Sequence, residues 1–143
     1  MRLFLDSSVL VAACGSAQGA SQAIFRLAAQ EGWNLLSSAY GIREAVHNVP
    51  ALGDAAIAEW KRIESKLIRI RDELVFDWPV VSVPAKDRPI LFSAAASADV
   101  LLTLDKKDFG SLMVHGFYGL PILKPGHFLE RERRAGRLQE KTI

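Results

Sequence analysis

The fold is decided by two stretches, residues 1–14 (MRLFLDSSVLVAAC) and residues 88–108 (RPILFSAAASADVLLTLDKKD). In the first, a short apolar run ends at Asp6, and in the second the run DVLLTL ends at Asp105. Short apolar runs of this kind are typical of buried parallel strands. Helical patterns follow both runs, and strands that alternate with helices predict a parallel sheet covered by helices on both faces.

The rest of the chain continues this alternation of helical and strand patterns. Helices are predicted over residues 9–14, 21–31, 38–49, 87–98, 108–113 and 125–134, and further strands over 33–36, 74–83 and 120–123. Apolar residues spaced three or four apart predict one long helix over residues 51–73. They are Ile57, Trp60, Ile63, Leu67 and Ile70. We interpret this stripe as core or as a dimer face.

Composition excludes several classes of protein. Half of the 143 residues are hydrophobic, 24% are charged and the net charge is +2, which excludes wholesale disorder and a histone-like polycation. The single cysteine, Cys14, excludes a disulfide scaffold and a Cys-based zinc site. No apolar run approaches the ~18 residues of a membrane span, and Asp6 interrupts any signal-peptide core. We expect a cytoplasmic protein with one domain over residues 1–134 and a frayed tail over 135–143.

Acidic residues gather at one predicted edge of the sheet. Asp6 and Asp105 each follow a strand, and the carboxyl ends of parallel strands meet at the same edge, where ligands bind. Glu44 falls one turn into the helix after the second strand, and Asp87 begins the helix before DVLLTL. Asp99 begins the strand that Asp105 ends, so we expect it ~20 Å away, at the opposite edge.

Four converging carboxylates repel one another and require compensation. The usual compensation is a hard divalent cation such as Mg²⁺, which prefers oxygen ligands. Two such ions ~3.5–4 Å apart are a standard device for phosphodiester chemistry, and Asp108 is a further candidate to help hold a second ion. Simpler roles stay open for single residues, because Asp87, Asp105 and Asp108 also suit helix caps and Glu44 suits a solvated helix face.

Three segments carry a resemblance to a known family: LFLDSSVLVAA (residues 3–13), YGIREAVHNV (40–49) and DRPILFSAAASADVLLTLDKKDF (87–109). With them the chain resembles the PIN-domain family, in particular the VapC-like toxins and their single-domain relatives. The resemblance implies a three-layer α/β/α sandwich with a central, mostly parallel sheet of about five strands. It also implies endoribonuclease activity that depends on one or two Mg²⁺ or Mn²⁺ ions, a homodimer, and a cognate antitoxin as partner.

The same resemblance assigns the metal and catalytic roles to Asp6, Glu44, Asp87 and Asp105. It places a small polar residue, Ser7, after the first acid and a hydroxyl, Thr103, near the fourth, and we expect both to contact substrate. Basic residues flank the acids and are candidates for phosphate contacts. They are Arg43, Lys86, Arg88, Lys106 and Lys107. Without the four acids, 18 basic residues stand against 12 acidic ones, an excess of six that favours RNA.

Two other functions stay open. One is a catalytically inactive PIN-like module that binds RNA or protein. The other is a Mg²⁺-dependent aspartyl-phosphate phosphatase or receiver-like domain, although a phosphatase needs a second Asp where Ser8 stands and a receiver needs an acidic pair beside the first strand. The Glu44-x-x-His47 spacing also occurs in di-iron sites, but these need two copies on a helical bundle and the chain has one.

Overall fold

A parallel β-sheet forms the centre of the molecule. The structure is a computed structural model that describes residues 1–74 and 84–138. Five strands occur within these residues: β1 (Arg2–Leu5), β2 (Asn34–Ser38), β3 (Ile68–Ile70), β4 (Val100–Leu102) and β5 (Ile122–Leu123). Their order in the sheet is β3-β2-β1-β4-β5, and every pairing is parallel. The predicted parallel sheet of about five strands is therefore confirmed.

Helices connect the strands. Those described are α1 (Ser7–Gly15), α2 (Ala20–Glu31), α3 (Ala39–Asn48), α4 (Asp54–Glu64), α5 (Arg88–Ser97), α6 (Lys106–His115) and α7 (Pro125–Arg134). Two short 3₁₀ turns, Val49–Leu52 and Ala85–Asp87, precede α4 and α5. In the part of the chain that the structure describes, none of the helices combines the length and the apolarity that crossing a membrane requires.

The two faces of the sheet bury separate apolar cores. Along β1, Leu3 and Leu5 belong to one core, whereas Phe4 between them belongs to the other, because successive side chains of a strand point to opposite faces. The first core is completed by residues of α1, α2, α4 and α7, and the second by residues of α5 and α6. This arrangement confirms the predicted three-layer α/β/α sandwich.

The long helix predicted over residues 51–73 is wrong. The 3₁₀ turn Val49–Leu52 ends at Gly53, whose φ of 105° favours glycine, and α4 begins only at Asp54. After α4 the backbone turns, and Ile68–Ile70 pairs with β2 as an edge strand. The apolar spacing continued through this turn, which is why periodicity alone suggested one helix. Of the strand predicted over residues 74–83, all but Leu74 lies outside the described residues.

The expected frayed tail does not apply to residues 135–138. Leu138 is 1% exposed and packs in the first core. Arg137 donates two hydrogen bonds, of 3.0 and 2.7 Å, to the buried carboxylate of Glu132. These contacts hold the segment against α7, and residues 139–143 lie outside the described part of the chain.

Gly41 is predicted to be required where α3 crosses α5. A Cβ at this position would lie 2.8 Å from Ser37 Oγ and 3.3 Å from Ile90 Cδ1, whereas one at Gly110 in α6 would meet nothing closer than 4.0 Å. We expect Gly41→Ala to lower the free energy of unfolding by about 1–2 kcal/mol through overpacking. Gly110→Ala should raise it by about 0.5–1 kcal/mol through helix propensity. Urea unfolding measures both, and equal effects would contradict the close approach at Gly41.

Candidate metal centre

The acidic residues singled out from the sequence lie at the carboxyl edge of the sheet. Asp6 directly follows β1 and Asp105 follows β4, and each is the residue before a helix, α1 and α6 respectively. Asp87 stands before the first residue of α5, which runs back toward the start of β4. Several helices therefore begin at this edge, and the partial positive charge of their N-termini offsets some of the repulsion among the carboxylates.

Asp99 lies at the opposite edge, as predicted. Its carboxylate accepts a hydrogen bond of 2.7 Å from the backbone N–H of Arg2 at the start of β1. The backbone N–H of Asp99 in turn donates to the carbonyl of Arg2. Asp99 thus ties the starts of β1 and β4 together, away from the other acids.

Three carboxylates form a tight group among the described residues. Oxygen atoms of Asp87, Asp105 and Asp108 all lie within 4.8 Å of one another. Asp105 also caps α6, because its Oδ1 accepts a 3.0 Å hydrogen bond from the backbone N–H of Asp108. In the described part of the chain, the side chain of Asp87 caps no helix and its buried Oδ2 has no hydrogen-bond partner. A buried carboxylate oxygen in this condition requires a cation or a proton.

Asp6 is held by donors from two neighbouring strand ends. Its Oδ2 accepts hydrogen bonds from Thr103 Oγ1 at 2.7 Å and from Ser8 Oγ at 2.9 Å, and its Oδ1 accepts one from the backbone N–H of Ser7 at 2.8 Å. The Thr103 hydroxyl also accepts a 3.0 Å hydrogen bond from the backbone N–H of Asp105. Thr103 therefore links Asp6 to the tight group.

Glu44 approaches from α3. It is half-buried, and its Oε1 accepts a hydrogen bond of 3.4 Å from Ser7 Oγ. Asp6 and Glu44 are not members of the group within 4.8 Å, but both border it. The structure thus brings all five predicted acids to one edge. Three of them have oxygen atoms within 4.8 Å of one another. Thr103 joins Asp6 to this group, and Ser7 joins Glu44 to Asp6.

Burial and neighbouring negative charges raise the pKa values of three of the acids, Asp6, Glu44 and Asp87. Burial, followed by the contact with Asp108, raises the pKa of Asp87 to about 7. The proximity of the Asp87 carboxyl group, the largest cause, lowers the pKa of Asp108. Burial raises the pKa of Asp6 in spite of its three donors, and burial followed by the charge of Asp6 raises that of Glu44. Desolvation together with like charges is typical of a site built to receive a cation.

The predicted substrate contacts differ in their surroundings. Lys106 and Lys107 are exposed in the first turn of α6, and Arg43 is exposed next to Glu44 on α3. Thr103 is fully buried, and its hydroxyl bonds to Asp6 and to the backbone N–H of Asp105, while its contact with substrate stays a prediction. Its role here is to position carboxylates.

Sequence reasoning missed Ser8. Its hydroxyl donates to Asp6 and accepts a 3.0 Å hydrogen bond from the backbone N–H of Leu104, so it joins the end of β1 to the segment after β4. The sequence did contain a signal for this hydrogen bond to Asp6. A serine two residues after an acid that ends a strand lies in the first turn of the helix that the acid caps, close to its carboxylate.

The chain has a structural likeness to a known protein. No family model matches the chain, and no curated protein matches it. Among solved structures, the chain is similar to the crystal structure of Mycobacterium tuberculosis VapC20, described as a toxin that cleaves the sarcin–ricin loop. The likeness covers 82% of this chain and 98% of that chain, with 16% sequence identity and a TM-score of 0.44. The strand order defines the fold of this chain, and the positions of the carboxylates define its candidate site.

Asp87→Asn is predicted to alter how the stability of the metal-free protein depends on pH. An unfolded Asp ionises near pH ~3.9, whereas folding raises the pKa of Asp87 to about 7. The stability contributed by protonated Asp87 is full below pH ~3.9 and is lost as the pH rises through about 7. The amide cannot ionise, so the variant should gain about 1–2 kcal/mol on the wild type between pH 5 and pH 8, allowing for solvent screening.

Urea unfolding in EDTA at pH 5, 6, 7 and 8 measures this gain. Asp54→Asn is the matched control, because Asp54 is an exposed acid in the first turn of α4. A difference between wild type and Asp87→Asn that is the same at all four pH values would contradict the crowded setting of Asp87.

Proposed function

We propose that the chain is an endoribonuclease that depends on Mg²⁺ or Mn²⁺ and hydrolyses phosphodiester bonds of RNA. The observation that carries the proposal is the group of Asp87, Asp105 and Asp108 at the carboxyl edge of a parallel sheet. Asp6 and Glu44 border this group. The order and spacing of these acids support a nuclease of the PIN type, the family whose motifs the chain resembles.

The residues present fit a divalent cation. All the candidate ligands are carboxylate oxygens, which Mg²⁺ and Mn²⁺ prefer, and the unpartnered buried Oδ2 of Asp87 needs a positive partner. We assign the holding of one or two ions to Asp87, Asp105 and Asp108, with Asp6 and Glu44 beside them. When bound, such an ion supplies positive charge that polarises the scissile phosphate and lowers the pKa of water.

The other residues of the site orient the acids. Thr103 and Ser8 hold the carboxylate of Asp6 toward the segment after β4, and the capping bond to Asp108 fixes the rotamer of Asp105. Preorganised ligands of this kind cost no rearrangement when the charged substrate arrives. We propose that Ser7, at the rim between Asp6 and Glu44, contacts the substrate.

Positive charge around the acids supports a polyanionic substrate. We propose that Arg43, Lys106 and Lys107, which are exposed on the helices that carry Glu44 and Asp108, bind phosphates of the RNA backbone. The resemblance to VapC-like toxins further supports a role as the toxin of a toxin–antitoxin pair. A homodimer and a cognate antitoxin belong to the same proposal.

An RNA cleavage assay with neutralised ligands tests the proposal. Asp105→Asn and Asp87→Asn remove charge while preserving shape, and Asn caps a helix about as well as Asp, so α6 should form normally. We expect each to lose about 3 kcal/mol of transition-state stabilisation, roughly a hundredfold in rate. Asp54→Asn, the exposed control on α4, should retain the wild-type rate.

The assay uses purified chain, an end-labelled pool of single-stranded RNAs, and Mg²⁺, Mn²⁺ or EDTA. We expect products with 5′-phosphates that disappear in EDTA. Cleavage that persists in EDTA or in both site variants would refute a metal-dependent mechanism. Binding of RNA without cleavage in any metal would favour the inactive binding module instead.

A further inference from the structure

Lys86 lies over the acidic group as a built-in cation. It belongs to the 3₁₀ turn Ala85–Asp87, and its Nζ is 3.3 Å from Asp108 Oδ2. The Lys86 side chain is 69% exposed, whereas that of Asp108 is 12% exposed. An exposed ammonium thus pairs with a largely enclosed carboxylate of the group.

A divalent cation and Lys86 would compete for the same carboxylate. Asp108 contributes an oxygen to the group within 4.8 Å, and within the described residues the neighbouring Asp87 Oδ2 has no hydrogen-bond partner. Lys86 therefore pairs with one acid of the group, Asp108, but makes no hydrogen bond to the buried Oδ2 of Asp87. An exposed Lys–Asp pair is weak, so a divalent ion bound by the three carboxylates should displace the ammonium.

We propose that Lys86 is a phosphate-binding residue for RNA that is masked by Asp108 until a divalent cation takes over that carboxylate. The inference rests on the proposed function. Because Lys86 directly precedes Asp87, a released ammonium stays at the mouth of the site, where its four-carbon stem lets it reach a backbone phosphate. Ion binding would then unmask a positive charge for substrate at the same step that completes the metal centre.

Binding of Mn²⁺ alone tests the competition. Isothermal titration calorimetry compares wild type with Lys86→Met, which keeps most of the side-chain volume but removes the charge. We expect Lys86→Met to bind Mn²⁺ about twofold to fivefold more tightly, because the competing cation is gone. Lys86→Arg should bind Mn²⁺ with an affinity close to that of wild type. The control is Lys61→Met, an exposed lysine in the last turn of α4, which leads to the start of β3 at the opposite edge.

Binding of RNA tests the masking. Fluorescence anisotropy of a labelled single-stranded RNA is measured in EDTA and in Ca²⁺, a hard cation that also takes carboxylate ligands. In Ca²⁺ we expect Lys86→Met to weaken RNA binding about threefold to tenfold and to reduce the salt slope by about 0.7, as for one lost phosphate contact. In EDTA, where Asp108 holds the ammonium, its affinity should stay within about twofold of wild type.

Each contrary result has a definite meaning. An unchanged Mn²⁺ affinity in Lys86→Met would overturn the competition, and an equal loss of RNA affinity in EDTA and in Ca²⁺ would overturn the masking. A wild-type chain that does not bind RNA in Ca²⁺ would overturn the phosphate role. A chain that binds RNA in the predicted pattern but never cleaves it would refute only the proposed hydrolase, because neither measurement requires turnover.

Discussion

The hydrogen bond from Thr103 to Asp6 joins the ends of the two central strands, and the acidic edge depends on it. Asp6 follows β1 and Thr103 follows β4, and the backbone N–H of Asp6 also bonds to the carbonyl of Leu102. Since the Thr103 hydroxyl accepts from the backbone N–H of Asp105, one threonine sets the positions of two acids. A valine of the same shape would keep the packing but would leave Asp6 and Asp105 without this common partner.

The apolar layers make this concentration of charge tolerable. Leu3, Phe4 and Leu5 are completely buried, and they anchor the strand that presents Asp6 between two separate cores. Burial on this scale stabilises the chain enough to hold like charges together, and the helix N-termini at the same edge reduce the repulsion further. The described residues supply no hydrogen-bond partner for Asp87 Oδ2, and the nearby cation Lys86 is paired with Asp108.

The sequence predicted the sheet and the gathering of acids because both follow from the direction of parallel strands. Asp6, Asp105 and Asp99 could be placed at their edges by counting residues along two strands. The prediction of one long helix failed because the chain turns at Ser65. Leu67 and Ile70 keep a helical spacing beyond this turn, and apolar periodicity does not reveal a turn that backbone hydrogen bonds form. The hydrogen bonds that Thr103 and Ser8 make between the segments after β1 and β4 could not be predicted either, since they depend on which groups meet across strands far apart in the chain.

The sheet order also has a consequence for how the chain acquires its structure. β1 is the central strand, yet one of its two neighbours, β4, comes almost a hundred residues later, and the Asp6–Thr103 pair spans 97 positions. A nascent polypeptide therefore carries Asp6 through most of its synthesis without the strand that orients it. Contacts between residues so far apart in sequence slow folding, and a product truncated before β4 would lack Thr103, Asp105 and Asp108. For a chain proposed to cut RNA, the architecture postpones an assembled centre until translation has passed Asp108.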